Sequence, residues 1–307
     1  MPGSSTVLGI GIGIGVGIGL FLGRSRDRKC SLIDAGLNKD TKICISLAKR
    51  PSNIGTRFHN FLYAELGLDF LYKAFTTTDI RAAIAGVRAF GFRGCSVSMP
   101  FKEDVIALVD EMDSTASAIQ SVNTIVNTNG RLVAYNTDYG AVAELIRKHR
   151  LDSRTTVVIQ GSGGMAKACG AAFRDAGFRS GVVLARNAST GRALAEELGF
   201  VWKSPESASA SLRADIIVNV TPIGMSGSAQ EEALAFPDPM IGSAQTVFDV
   251  VAFPSETPLI QRARKLGKPV ITGAEVIALQ AAKQFELYTS VSLTTDQVVR
   301  ASIYSRC

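Results

Sequence analysis

Residues 156–173 read TVVIQGSGGMAKACGAAF. Val157, Val158 and Ile159 form a short apolar run that predicts a buried strand. Gly161-Ser162-Gly163-Gly164-Met165-Ala166 follows, and then alanine-rich residues that favour helix. A glycine turn between a strand and a helix is the context in which G-x-G-x-x-G/A marks a dinucleotide site. Gly161 permits the tight turn, Gly163 lets the backbone approach a pyrophosphate, and Ala166 lets the helix pack on the strand. The free N–H groups and partial positive charge of a helix start suit that anion. Taken alone, the stretch also fits a plain glycine turn.

The next apolar run, Gly181-Val182-Val183-Leu184, predicts the second strand of the same unit. A NAD site places Asp or Glu about 20 residues past the loop, against the ribose 2′-hydroxyl. Here Ala185-Arg186-Asn187 stands at that point, with Ser189, Thr190 and Arg192 beyond. A guanidinium cannot accept from a hydroxyl, but it pairs with a 2′-phosphate. The reading is NADP, with NAD as the alternative.

The 307 residues allow two domains, and 46% hydrophobic with 20% charged residues is a globular composition. The net charge of +6 includes five basic and three acidic side chains within residues 1–40. The rest is spread without a Lys/Arg block, which argues against nucleic acid as a partner. Five widely spaced cysteines (30, 44, 95, 169 and 307) contain no C-x-x-C and suit reduced thiols in a cytoplasmic protein. With only His59 and His149, no histidine metal cluster is expected.

Residues 1–37 differ from the rest. Glycine at 9, 11, 13, 15, 17 and 19 alternates with Ile or Val inside the uncharged stretch Val7–Leu22, and Arg24, Arg26, Arg28 and Lys29 follow. Sixteen residues fall short of a typical spanning helix, and each glycine costs helix stability. The segment is read as a low-complexity leader or an over-extended translation start, with a membrane anchor as the alternative. A membrane partner follows only from the anchor reading.

From Asn38 the pattern is regular. Lys42–Leu47 and Phe70–Phe75 predict strands, with a helix over Arg57–Leu66 between them. Thr78 is the expected N-cap of a helix running to Gly91. Gly94–Lys102 predicts a strand ending in a turn, which Pro100 fixes and from which it opens a helix over Phe101–Met112, with Lys102 in its first turn. Ser121–Val126 and Leu132–Tyr135 predict two strands around the Asn129-Gly130 turn. Asn136-Thr137-Asp138 precedes a helix over Gly140–His149. Further strands are predicted at Asp215–Thr221, Val247–Val251 and Val270-Ile271, with a helix over Pro258–Leu266. A long last helix from Gly273 carries Gln280 among apolar neighbours, as a residue facing a site would be. Strands alternate with helices twice over, so the fold class is α/β with two domains, the second Rossmann-like.

These residues resemble the shikimate dehydrogenase family from about Ile43 to Thr289. Ser98-Met99-Pro100-Phe101-Lys102 resembles its N-V-T-x-P-x-K block, Ser121–Thr124 its G-A-V-N-T block and Asn136–Asp138 its N-T-D block. Gly161–Ala166 resembles the G-A-G-G-A-x loop, Asn219–Met225 the N-A-T-x-x-G-M block, and Gln280–Phe285 the closing Q-A-x-x-x-F. The resemblance implies a substrate-binding domain of residues 38–139 and 274–307 and an NADP-binding domain of residues 140–273, with the active site between them. It implies NADP-dependent interconversion of shikimate and 3-dehydroshikimate, with Lys102 and Asp138 as the catalytic pair. Chemistry agrees, because oxidising a secondary alcohol requires a proton to leave oxygen as hydride leaves carbon.

Thr56, Ser98, Asn123 and Gln280 are the implied substrate ligands. Gly161, Ser162, Gly163, Gly164, Met165, Ala166, Arg186, Asn187, Thr221 and Gly273 are the implied cofactor ligands, and no metal is implied. The assembly is a monomer or homodimer with a small-molecule substrate. The family's S-x-S-P element is altered. Anchored on His59, Thr56 stands for its second serine and Ile54 for its first, with Asn53 or Arg57 as candidates to compensate. The tyrosine that follows the family's D-x-V strand is replaced by Ala252-Phe253. The pattern resembles the divergent shikimate dehydrogenase-like subgroup. Quinate or a related cyclic polyol acid is the alternative substrate, and a catalytically weak NADP-binding regulator the alternative role.

Overall fold

The computed structural model describes residues 37–207, 212 and 214–306. The leader and anchor readings of residues 1–37 therefore lie almost wholly outside the described residues. Among those described, no helix is long and apolar enough to cross a membrane, and no group of three His, Cys, Asp or Glu could hold a metal ion.

The chain builds two six-stranded sheets. The first holds β1 (Lys42–Ala48), β2 (Phe70–Thr76), β3 (Gly94–Val97), β4 (Glu111–Met112), β5 (Thr124–Thr128) and β6 (Arg131–Tyr135), in the order β2-β1-β3-β5-β6-β4. β1 runs parallel to β2 and β3, while β5 is antiparallel to β3 and β6. Helix α1 (Ile54–Glu65) and α2 (Ile80–Ala89) make the crossovers, and α3 (Ser114–Ser117) leads toward β5.

The second sheet is wholly parallel. Its strands are β7 (Thr156–Gln160), β8 (Ser180–Leu184), β9 (Val201–Lys203), β10 (Ile216–Asn219), β11 (Thr246–Asp249) and β12 (Val270–Ile271), ordered β12-β11-β10-β7-β8-β9. Read from β7 this is the 3-2-1-4-5-6 order of the dinucleotide fold, with its switch point between β7 and β10. Both faces are covered, so the strands are near-continuous apolar runs. Val157, Val158, Ile159, Ile217 and Val218 are fully buried. The covering helices are α5 (Gly164–Asp175), α6 (Ala188–Leu198), α7 (Asp238–Ser243) and α8 (Pro258–Lys265).

Two helices join the halves. α4 (Thr137–Lys148) leaves the first sheet and packs against α5, with Val142 and Leu145 buried in the second sheet's core. α9 (Gly273–Thr289) starts on the second sheet and ends on the first, where Phe285 and Tyr288 join the cluster of Phe58, Leu62 and Tyr72. α10 (Thr295–Ser305) packs on α1 and α9.

Three local expectations need correction. No helix spans Phe101–Met112. The Met99–Pro100 bond is cis, and turns run from Met99 to Val105 before a single 3-10 turn at Ile106–Leu108 and the short β4. Phe101 and Val105 bury into the first sheet's core, and Glu111 and Met112 pair with β6, so these residues serve a turn and an edge strand. Lys102 accordingly sits in a turn. The N-cap of α2 is Asp79, whose carboxylate accepts from Ala82 N at 2.9 Å, and not Thr78. The strand expected from Ser121 begins at Thr124, leaving Ser121–Asn123 as irregular backbone facing the junction of the halves.

Candidate functional site

Loops of the two sheets meet where the turn after β3 touches the start of α5. From the first comes the turn after β3. Val122 N donates to Lys102 O at 2.8 Å, tying that turn to the stretch before β5. From the start of α4 comes Asp138, oriented by Asn136. The Asn136 side-chain oxygen accepts from Asp138 N and Tyr139 N, and its amide donates to Ser121 O at 2.8 Å. The result is a direct ion pair between Lys102 Nζ and Asp138 Oδ2, with side chains only 16% and 9% exposed. Beneath it lies Cys169, whose thiol burial pushes well above its usual range. The Asp138 carboxylate adds to that shift and Lys102 opposes it.

Asn123, Thr137 and Gln280 form one buried polar network beside the pair. Asn123 Nδ2 donates to Thr137 Oγ1 at 3.0 Å, and Thr137 N donates to Asn123 Oδ1 at 2.8 Å. Thr137 Oγ1 donates to Gln280 Oε1 at 3.4 Å, and Gln280 Nε2 to Ile277 O at 3.3 Å. Gln284, one turn along α9, is 2% exposed. It donates to Thr124 Oγ1 at 2.9 Å and to Ser96 Oγ and Asn123 O at 3.3 Å each, fixing α9 to the strands that carry the site. Neither Thr137 nor Gln284 was among the sequence-derived ligands. The i, i+4 spacing of two glutamines on an apolar helix was the signal for Gln284.

The remaining candidates lie on other elements of the first half. Ser98 N donates to Leu47 O at 2.9 Å at the end of β3, and its side chain is half-buried. Thr56 lies in the first turn of α1, and its buried Oγ1 has no hydrogen-bond partner, as a group awaiting a polar ligand would be. Ile54 is 8% exposed and supplies no polar atom. His59 is fully buried and stacked on Tyr72, with ring centroids 4.4 Å apart. A groove of about 1110 Å³ between α4, α9 and α10 includes neither Lys102 nor Asp138, so the site is assigned on its polar network and not on cavity size.

On the nucleotide side, Gly161 has φ +132°, and a Cβ there would lie 2.7 Å from Val220 Cγ2. Gly163 is the N-cap of α5 with no side-chain cap, and nothing lies within 4 Å of where its Cβ would be. The first N–H groups of α5 are therefore open to a ligand. Ser162 Oγ and Thr190 Oγ1 share a hydrogen bond of 2.8 Å, Met165 is half-buried and Ala166 is buried. Arg186 is exposed just past β8, whereas Arg192 lies over the Trp202 ring at 4.2 Å. Asn187 caps α6, accepting from Ser189 N at 3.0 Å and Thr190 N at 3.2 Å.

An uncapped helix start behind a positive-φ glycine, with a guanidinium past the next strand, fits a phosphorylated dinucleotide. Thr221 and Gly273 sit differently from the other loop residues. Thr221 Oγ1 donates to Asn219 Oδ1 at 2.7 Å and accepts from Ile223 N, shaping the loop after β10. Gly273 is buried against backbone, where a Cβ would fall 2.1 Å from Val251 O. What its lack of a side chain provides is close packing of α9.

Known proteins share this arrangement. A family model, the shikimate dehydrogenase substrate binding domain, matches residues 53–125. A shikimate dehydrogenase-like protein of Haemophilus influenzae is 53% identical over 270 residues, spanning 88% of this chain and 98% of that protein. The NADP(+) shikimate dehydrogenase of Archaeoglobus fulgidus is 35% identical over 247 residues, or 78% of this chain and 89% of the relative. A solved structure of the Thermus thermophilus shikimate 5-dehydrogenase, in complex with NADP(H) and shikimate, superposes with a TM-score of 0.76 at 27% identity, covering 86% of this chain and 99% of that one. The ordered motifs, the two-sheet architecture and these relatives agree, and the chain belongs to the shikimate dehydrogenase family.

Proposed function

We propose that the protein is an NADP-dependent dehydrogenase that interconverts shikimate and 3-dehydroshikimate, within the cytoplasmic supply of aromatic amino acids. Residues 38–139 and 274–307 serve as the substrate half and residues 140–273 as the nucleotide half. The observation that carries the reading is the Lys102–Asp138 ion pair, set beside the Asn123–Thr137–Gln280 network and facing the Gly161–Ala166 loop.

NADP, when bound, supplies the acceptor or donor of hydride. This chain's residues do the rest. In the reductive direction the Lys102 ammonium donates its proton to the substrate oxygen, and in the oxidative direction the neutral amine takes it back. Asp138 holds the amine in place and balances its charge. Asn123 and Gln280, already ordered through Thr137, recognise ring hydroxyls, and a substrate lacking one would leave them buried and unpaired. Thr56 Oγ1 and Ser98 complete the substrate side. Gly161, Gly163 and the start of α5 cradle the pyrophosphate, and Arg186 meets the 2′-phosphate.

A second reading, quinate or a related cyclic polyol acid as substrate, rests on Ile54. Its apolar side chain stands where the resemblance expects a hydroxyl, which alters the environment of a substrate carboxylate. Absorbance at 340 nm, recorded with shikimate and quinate against NADP and NAD, tests both. Turnover of shikimate with NADP supports the first reading. Turnover of quinate, or preference for NAD, moves the substrate or the cofactor. NADP binding with no turnover leaves a nucleotide-binding regulator.

A further inference from the structure

The turn that carries Lys102 lies directly against the start of α5. Gly164, the first residue of α5, faces that turn directly. A Cβ built on Gly164 would lie 2.7 Å from Ser121 Oγ, 3.2 Å from Lys102 Cδ and 3.4 Å from Lys102 Cβ. The lysine stem therefore rests on the bare backbone of the helix start. Ser121 is fully buried in the same contact, and its hydroxyl has no hydrogen-bond partner. One helical turn further on, Lys167 Nζ reaches back to Glu103 Oε1 at 3.0 Å. Glu103 is the neighbour of Lys102 in sequence, so this ion pair ties the same turn to α5. Ile119, packed with Ala168 and Ala171 of α5, closes the contact with apolar surface.

We propose that the first turns of α5 position Lys102, with Gly164 as the seat of its stem and the Glu103–Lys167 pair as the latch that holds the turn there. Gly164 then serves the lysine as well as the nucleotide loop, and Lys167, on a helix whose start faces phosphate, is directed to the turn and not to the ligand. The proposal rests on the reading of Lys102 as the proton-transfer residue, but its test does not require turnover. Glu103 and Lys167 have side chains 51% and 21% exposed, so an effect of modest size is expected and the fold should tolerate their replacement.

The experiment is competitive acetylation of the ligand-free full chain, with labelling at each lysine read by mass spectrometry. It compares wild type, Glu103→Gln, Lys167→Met and the charge-swapped double variant Glu103→Lys/Lys167→Glu. Labelling of Lys102 should rise about two- to fivefold in each single variant, in line with loss of one partly exposed ion pair, and return toward wild type in the swap. Titration with NADP in the same proteins should give affinities within about twofold of wild type, because the latch acts on the turn and not on the ligand. Where the wild type turns over, kcat should fall in the single variants by a factor similar to the labelling change and recover in the swap.

Unchanged Lys102 labelling in both single variants would overturn the proposal. So would loss of NADP affinity in Lys167→Met with labelling unchanged, which would make Lys167 a nucleotide ligand. A labelling shift that the swap reverses, in a protein that turns over nothing, supports the latch and counts against the proposed activity instead.

Discussion

Asp249 and His59 are buried ionisable groups whose environments push in opposite directions. Asp249, at the end of β11, is fully buried and surrounded by neutral donors. It accepts from the Thr257 hydroxyl at 2.7 Å and from Asn219 Nδ2 and Val251 N at 3.0 Å. Burial raises its carboxyl to about 6, and these hydrogen bonds only partly oppose it. An acid raised on folding adds stability that is present in full below its unfolded value of about 4 and lost as pH rises through the folded value.

Burial pushes the His59 imidazole down to about 3, and neither of its ring nitrogens has a hydrogen-bond partner. A base lowered on folding adds stability that is present above its unfolded value of about 6.5 and lost as pH falls toward the folded one. Relative to wild type, Asp249→Asn should therefore lose stability as pH falls from 6 to 4. His59→Phe should keep more of its stability between pH 6.5 and 3. Urea unfolding at stepped pH reads both, and profiles parallel to wild type would refute these assignments. At this scale the motifs single out Lys102, Asp138, Asn123 and Gln280, and the structure pairs Lys102 with Asp138 and links Asn123 to Gln280 through Thr137. The sequence was least informative where function depends on partners distant in the chain. Nothing in the order of residues shows that Ser121 lies against Gly164 or that Asn219 and Thr257 meet at Asp249.

α9 is the element that packs into the cores of both halves. At 17 residues it is about 25 Å long, enough to reach from one sheet to the other. Both ends are seated by glycines. Gly273 lies against the backbone after β11, and Tyr288 lies over Gly94 of β3, where a Cβ would fall 2.3 Å from its ring. Gly273→Ala and Gly94→Ala should each destabilise the protein by about 1–3 kcal/mol, the usual cost of overpacking a filled site. The former meets rigid backbone and should cost more. Thermal unfolding checks both, and melting temperatures unchanged by either would contradict this packing.

Sequence pattern located most strands and the longer helices, because apolar runs and alternation survive without tertiary context. It failed over Phe101–Met112. Phe101 and Val105 have helical spacing, yet their side chains fill the first sheet's core from a turn, and Met112 joins an edge strand. β9, α6, α7 and α10 gave no clear signal beforehand. β9 has only three residues and α7 six, too few for a period to show.

At the scale of the molecule, two sheets of different construction meet along α4 and α9, and the candidate site draws on both. The Rossmann-like half was legible from its glycine loop and successive apolar strands. The mixed first sheet, in which β5 runs antiparallel, carries no such signature, and its sequence shows only alternating strands and helices. Family membership makes the two-half architecture coherent, and at Ile54–Thr56 this chain departs from the S-x-S-P element that the resemblance implies. A Thr56→Val variant should raise KM for the acid substrate severalfold and leave NADP affinity unchanged, since Oγ1 is a buried group with no other partner. A steady-state comparison with wild type decides it, and an unchanged KM would remove Thr56 from the substrate site.

The central claim is that the Lys102–Asp138 pair performs the proton transfer accompanying hydride transfer. The most direct measurement is the 340 nm rate of wild type and Lys102→Ala with NADP and shikimate, alongside NADP titration of both proteins. Turnover is expected in the wild type, with a loss of about 10²–10⁴-fold in the variant and NADP affinity nearly intact. Equal turnover in the two proteins would contradict it.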